Sequence, residues 1–296
     1  MLRIERVLAP NPSEYTLEGT NTWVVGQGPA IVIDPGPPDP AHLEEVLRTA
    51  GGPIAHVLVT HDHEDHAEGA ADLARLAGAG LRAARLDDAE RLRDGETLCA
   101  GSLELVAVHT PGHSADHFVF FAPEEGALFT GDAVLGRGTS FIDPPDGDLA
   151  RYLASLHHML DLEPKTIYPG HGPVVLDARA KLREYIVHRS ERESQVLEAL
   201  AAGSRTVHEL VASIYVDHPP EVHPLAARSV TAHLLKLEAE GRAAKAGRGD
   251  DAVWSAVGPR ACRRCGRPVK GRGSYCSSCS LVLLQEGAAA PPDRDG

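Results

Sequence analysis

Apolar and polar positions change period repeatedly along this chain, and the changes mark out short strands alternating with helices. Residues 30–33 and 54–59 are apolar runs of buried-strand length, the second including Val57 and Val59. The stretch 15–25 holds another, through Trp23, Val24 and Val25. Runs at 103–108, 127–129 and 166–168 read the same way, each leading into a turn flanked by Gly. Between them, 40–50, 67–76 and 149–160 have the composition and spacing of helices, and Gly51-Gly52-Pro53 ends the first. The expectation is one sizeable domain of buried strands and covering helices.

A different pattern starts within the long helical stretch 178–200. Beyond it, 207–211 reads as a short helix opened by Thr206, and 226–240 as a longer one that Gly241 stops. The spacing points Ser229, His233 and Lys236 outward, and Leu234, Leu235 and Leu237 inward. Segments 242–246 and 252–256 can pair across 247–251. Three helices and a hairpin resemble a winged-helix domain. The expected organisation is therefore 1–188, a winged helix over 189–258, a cysteine-bearing segment over 259–281, and a disordered tail over 282–296.

Composition narrows the class. The 296 residues are 43% hydrophobic and 24% charged, as in a globular protein large enough for a substantial core. No run approaches a membrane span and the first residues lack an apolar signal region, so a cytoplasmic location and no membrane partner are expected. The net charge of −13 is uneven: −15 over 1–188, −2 over 189–258, +6 over 259–281 and −2 over the tail. The first domain should repel long polyanions, which leaves nucleic-acid affinity to its site or to the basic end.

The densest chemistry lies in Thr60-His61-Asp62-His63-Glu64-Asp65-His66, between the 54–59 strand and the next helix. Imidazole and carboxylate are the usual ligands of Zn²⁺ and similar ions. His61, His63, Asp65 and His66 are spaced too tightly to share one ion, so two adjacent ions are the natural reading; a His-rich polar loop is the plain one. Against the plain reading stand His113 in Thr110-Pro111-Gly112-His113-Ser114, Asp132 in Thr130-Gly131-Asp132, and His171 in Tyr168-Pro169-Gly170-His171-Gly172. Each follows a predicted strand, and turns at strand ends can converge. Asp34, ending the 30–33 strand, either orients a ligand His from behind or forms a turn before Pro35-Gly36. His117 is a candidate substrate contact or hydrogen-bond donor behind the site, with a core or surface histidine as the alternative. The Gly-rich loop 136–140 is a candidate mobile rim or a plain connection.

The ordered set resembles the metallo-β-lactamase superfamily, with its HxHxDH motif and downstream His, Asp and His, over about residues 1–188. The resemblance implies an α+β fold, a four-layer αββα sandwich with its site at one edge of the two sheets. It implies that His61, His63 and His113 hold one ion, Asp65, His66 and His171 the other, and that Asp132 bridges them. Two Zn²⁺, or Mn²⁺ or Fe, are the implied cofactors. Two such dications share a water whose pKa falls to about 7, and the resulting bridging hydroxide attacks a carbonyl carbon or a phosphorus. Asp65 is a candidate to aim the hydroxide, and His117 a candidate proton donor to the leaving group. The expected cytoplasmic location weighs against an exported antibiotic-destroying enzyme.

With the winged helix included, residues 110–117, 136–140 and 168–173 resemble the β-lactamase-like protein 2 group over about 10–258. That group includes a zinc-dependent endoribonuclease preferring single-stranded RNA, so the resemblance implies a binuclear hydrolase with RNA as substrate. A small-molecule ester, thioester or lactone hydrolase is the alternative that the acidic first domain favours. A non-catalytic nucleic-acid-binding regulator is the third. A homodimer set by the winged helix is a further expectation.

Cys262-x2-Cys265 and Cys276-x2-Cys279 form two chelating pairs, the pattern of a four-cysteine zinc ribbon around one structural Zn²⁺ rather than of disulfides in a cytoplasmic chain. Arg260, Arg263, Arg264, Arg267, Lys270 and Arg272, with Tyr275, can meet phosphates and stack a base, or can be the solvated face of a docking module. Cys99 is left over and is expected to be buried.

Overall fold

β-Branched and aromatic residues supply two sheets whose inner faces meet. The computed structural model describes residues 2–258, 260–261 and 268–269. β1 (Ile4–Leu8), β2 (Asn21–Val25), β3 (Ala30–Ile33), β4 (Ile54–Leu58), β5 (Gly80–Ala83) and β6 (Glu90–Arg91) form one sheet in chain order. β1, β2 and β3 pair antiparallel, and β3 through β6 run parallel. The second sheet contains β7 (Thr97–Ala100), β8 (Leu103–His109), β9 (Phe118–Ala122), β10 (Ala127–Gly131) and β11 (Thr166–Pro169), in the order β11-β10-β9-β8-β7.

The strand period of two sorts side chains between faces. Trp23, Val25, Ile31, Ile33 and Leu58 pack against Leu105, Phe118, Phe120 and Phe129 of the opposite sheet. Val24, Val32 and Val57 point the other way. They meet Leu43 and Val46 of α1 (Pro40–Ala50), and beyond α2 (Glu64–Ala67) they meet Leu73 of α3 (Ala70–Ala77). α4 (Leu149–Asp161) and α5 (Ala178–Ala201) bury Tyr152, Leu156, Leu182 and Tyr185. Each such burial is worth roughly 1.5–3 kcal/mol. The result is the expected αββα sandwich. The helix expected over 67–76 is divided at Gly69, where a Cβ would lie 2.9 Å from both the Gly36 and Pro37 carbonyl oxygens.

Strand direction places the site. β9 is antiparallel to both β8 and β10, and β10 is parallel to β11, so β8, β10 and β11 end on the same side. Hydrogen bonds from Phe118 N to Thr60 O (2.7 Å) and from Asn21 N to Gly170 O (2.7 Å) join this edge to the ends of β4 and the start of β2.

Contact density divides the chain after Glu191, where the sequence pattern suggested 188, and α5 runs through the division. In the second unit, Val196, Leu200, Leu210, Val230, Leu234, Leu237 and Trp254 make a core. α6 (Val207–Ile214) opens with a reciprocal cap between Thr206 and Glu209. After α7 (His223–Ala239), β13 (Ala243–Ala246) pairs with β14 (Val253–Ala256), to which β12 (Arg205–Thr206) adds a third strand. This is a winged helix. Two expectations on α7 are corrected: His233 is buried and Leu235 is exposed. Ala226, Val230, His233, Leu234 and Leu237 form the inward stripe, and Leu235 lies one residue off it.

Cys99 is also corrected. It is exposed, because alternation on β7 turns Leu98 and Ala100 inward. β15 (Arg260–Ala261) pairs antiparallel with β16 (Pro268–Val269). Cys262, Cys265, Cys276, Cys279 and the tail 282–296 lie outside the described residues. No helix among the described residues is long and apolar enough to cross a membrane.

Candidate metal centre

Asp34 follows β3, Thr60 and His61 follow β4, His113 lies in the turn after β8, Asp132 follows β10 and His171 follows β11. Asp65 and His66 stand in α2, whose N-cap is His63. The structure brings all seven expected ligand side chains together. Their donor atoms form three groups within 4.8 Å: His61, His63 and His113; His61, His66 and Asp132; Asp65, His66 and His171.

In the first group, His63 Nδ1 lies 2.9 Å from His61 Nε2 and 3.2 Å from His113 Nε2. In the last, His171 Nε2 lies 3.2 Å from His66 Nε2 and 3.1 Å from Asp65 Oδ2. Asp132 stands between them. Its Oδ1 is 3.4 Å from His66 Nε2 and 3.3 Å from His171 Nε2, and its Oδ2 is 3.9 Å from His113 Nε2. Donors bound to one tetrahedral ion at about 2.0–2.1 Å sit roughly 3.3 Å from each other, so these separations match a shared ion.

The far side of four of the five rings is tied down. Asp34 Oδ2 lies 2.9 Å from His66 Nδ1, and Asp34 itself accepts from Thr60 N and Thr60 Oγ1, both at 2.8 Å. Thr60 Oγ1, having donated to Asp34, accepts from His61 Nδ1 at 3.0 Å. His113 Nδ1 donates to the Phe141 carbonyl at 2.7 Å, and His171 Nδ1 to the Gly19 carbonyl at 3.2 Å. Each contact keeps the proton on Nδ1 and turns the Nε2 lone pair toward the cluster. His63 differs, presenting Nδ1.

Electrostatics fit cations. Asp132 Oδ1 is buried and accepts no hydrogen bond, so it depends on positive charge beside it, from the His66 and His171 imidazoles at 3.4 and 3.3 Å or from a bound ion. Burial disfavours charge on His66, yet Asp65, Asp132 and Asp34 outweigh it and hold the imidazole well above its ordinary pKa. His171 is raised too, with Asp132 and Asp65 prevailing over burial. Burial, reinforced by neighbouring imidazoles, holds His61 well below the ordinary value; His113 is lowered chiefly by burial. Burial opposes ionisation of Asp65, but His66 and His171 pull it below the usual carboxylate value.

Asp34 orients a ligand histidine from behind, one of its two sequence readings. The expectation that His117 meets substrate or donates a proton is corrected. Its side chain is 0% exposed, its Nδ1 lies 3.1 Å from Thr110 Oγ1, and its ring centroid sits 5.0 Å from that of His61. Burial and the neighbouring His113 hold it well below its ordinary pKa, hence neutral. The 136–140 loop is a fastened connection, with Ser140 buried and bonded to α5. The sequence reading gave no role to Asp116, which accepts from Asp62 N at 3.1 Å and from Ser114 Oγ at 2.7 Å, pinning the His-rich turn. It also missed Thr60, and the Gly19 and Phe141 carbonyls could not be read from residue type.

Known proteins resemble this chain in sequence and fold. A model described as the Metallo-beta-lactamase superfamily matches residues 15–101 and 84–171. The chain belongs to the metallo-β-lactamase superfamily. A model described as the Beta-lactamase associated winged helix domain matches residues 206–254. Within the superfamily, the chain is 35% identical over 262 residues to a Drosophila melanogaster protein named Beta-lactamase-like protein 2 homolog, covering 80% of this chain and 88% of that protein. A solved beta-lactamase domain protein from Burkholderia ambifaria superposes with a TM-score of 0.73 at 22% identity, over 86% of this chain and 91% of that one, and shows the fold. TTHA1623 in a di-iron-bound form is similar at TM-score 0.50 and 26% identity, over 59% of this chain and 96% of that one.

Proposed function

We propose that this metallo-β-lactamase-fold chain is a hydrolase using two metal ions. His61, His63 and His113 would hold one ion and Asp65, His66 and His171 the other, with Asp132 between them. The observation that carries the reading is the Asp132 carboxylate, with one oxygen turned to each donor group. The di-iron-bound form of the similar TTHA1623 supports two ions. When bound, such a pair lowers the pKa of a shared water to about 7 and supplies hydroxide at neutral pH. The chain's own part is orientation: Asp34, Thr60 and the Gly19 and Phe141 carbonyls fix the imidazoles, and Asp65 offers an acceptor that aims the attacking oxygen.

Single-stranded RNA is the first substrate reading. It is supported by likeness to a Beta-lactamase-like protein 2 homolog and by the six cations of 259–281. We further assign Cys262, Cys265, Cys276 and Cys279 to one structural Zn²⁺, on their spacing as two chelating pairs. A small ester or thioester is the second reading. It is supported by the net charge of −15 over residues 1–188, which repels a polyanion.

The test is purified, zinc-loaded protein on labelled single-stranded RNA beside a panel of thioesters and lactones, with Asp132→Ala and His66→Ala as controls. Loss of turnover in both folded variants is expected. Full activity in either, with metal content halved, would refute the two-ion account. RNA cleavage selects the first reading; turnover of one small substrate with silence on RNA selects the second.

A further inference from the structure

Arg189 is 4% exposed and forms no ion pair among the described residues. Buried guanidinium groups are normally paired, because removing the charge from water costs several kcal/mol. Here the group donates to the Ser140 carbonyl oxygen and lies over the Tyr152 ring, 5.6 Å from its centroid. Tyr185 stands one helical turn earlier on the same face of α5. Its hydroxyl accepts from Leu135 N and donates to the Gly138 carbonyl, both at 3.0 Å. Two side chains of one helix therefore hold the 135–140 segment at three backbone points.

The next residue explains the investment. The Phe141 carbonyl accepts the proton of His113 Nδ1. The other oriented imidazoles lean on groups in or beside strands: Asp34 at the end of β3, Thr60 after β4, and Gly19 just before β2. Phe141 instead lies between β10 and α4, in a stretch with no strand or helix of its own. Its carbonyl stays in place only as far as that stretch is fastened.

We propose that Arg189 is a positioning residue of the metal centre, acting through Ser140 and Phe141 to aim His113 Nε2 at the ion shared with His61 and His63. The proposal rests on the two-ion reading above. A guanidinium suits the task because it is planar, always charged and donates in a fixed fork, whereas an ammonium is a mobile point charge.

Zinc binding to wild type, Arg189→Lys and Arg189→Met is measured by chelator competition, together with the absorption spectrum of the Co²⁺-loaded proteins. The expected result is that, of the two ions at the His/Asp cluster, one is bound with wild-type affinity and the other is weakened about 10- to 100-fold in Arg189→Met, as for loss of a group that orients a ligand, while zinc on the cysteines is unchanged. Arg189→Lys should fall between, and only part of the cobalt spectrum should change. General destabilisation would weaken both ions together; that outcome, or unchanged binding of both, overturns the proposal. A wild-type protein that binds fewer than two ions at the cluster overturns the two-ion reading and the proposal with it.

Discussion

Oδ2 of Asp34 lies 2.9 Å from Nδ1 of His66 and also accepts from the Thr60 hydroxyl, while Oδ1 accepts from the Thr60 backbone N–H. Asp34 adopts a left-handed backbone with φ 51°, which Asn also tolerates. Asp34→Asn should therefore keep the fold while removing the anion that favours the Nδ1 proton. Affinity for the ion of Asp65, His66 and His171 is expected to fall about 10- to 100-fold. Zinc titration of the variant checks this; an unchanged second affinity would dismiss the role.

Acid should strip the two ions in sequence. Protons compete with metal for imidazole nitrogen. His66 and His171 have raised pKa values, so as pH falls they take protons sooner than His61 and His113, whose values are lowered. The ion of Asp65, His66 and His171 should be lost at the higher pH and the ion of His61, His63 and His113 at the lower. Zinc retained at the His/Asp cluster after equilibration with a chelator across a pH series, followed in Cys262→Ser so that cysteine-bound zinc does not contribute, should show two steps; earlier loss of the ion bound by His61, His63 and His113 would reverse the assignment.

Gly170 lies against the centre. A Cβ there would sit 2.7 Å from His66 Cε1 and 2.9 Å from Asp132 Oδ1, so Gly170→Ala must displace a ligand. Metal affinity is expected to drop at least about tenfold, the scale on which ligand geometry acts. The melting temperature of the metal-free protein should move much less. Equal metal affinity in the variant would mean that this edge of the cluster yields freely.

The cysteine pairs predict a third zinc. The full chain should bind three ions, and Cys262→Ser or Cys276→Ser should each remove one without touching the pair at His61 and His66. Elemental analysis after gel filtration decides it. Two ions in every variant and in wild type would leave the cysteines without a metal role.

Much of the fold is legible from the pattern of burial alone. The runs at 30–33 and 54–59 correspond to β3 and β4, and 40–50 coincides with α1, because strand and helix periods are local properties. Failures occurred where one turn of register decides. His233 and Leu235 exchanged faces, since the i, i+3, i+4 stripe through Ala226, Val230 and Leu237 takes in position 233 and leaves 235 one residue off it. Cys99 was misplaced because type alone suggested burial, while an alternating strand faced it outward.

By itself, the amino-acid order determined the donor set: the chemical identity of His61, His63, Asp65, His66, His113, Asp132 and His171, and their placement shortly after apolar runs. Only the tertiary structure decided how those donors are aimed. Asp34 reaches His66 across 32 positions, Gly19 serves His171 across 152, and Phe141 offers His113 a carbonyl that any residue could supply. Backbone acceptors carry no side-chain signature, and parallel strand ends bring distant turns together only after the sheets have formed. His117 shows the same division: its imidazole is plain in the sequence, but its neutrality comes from burial, which the packed molecule alone creates.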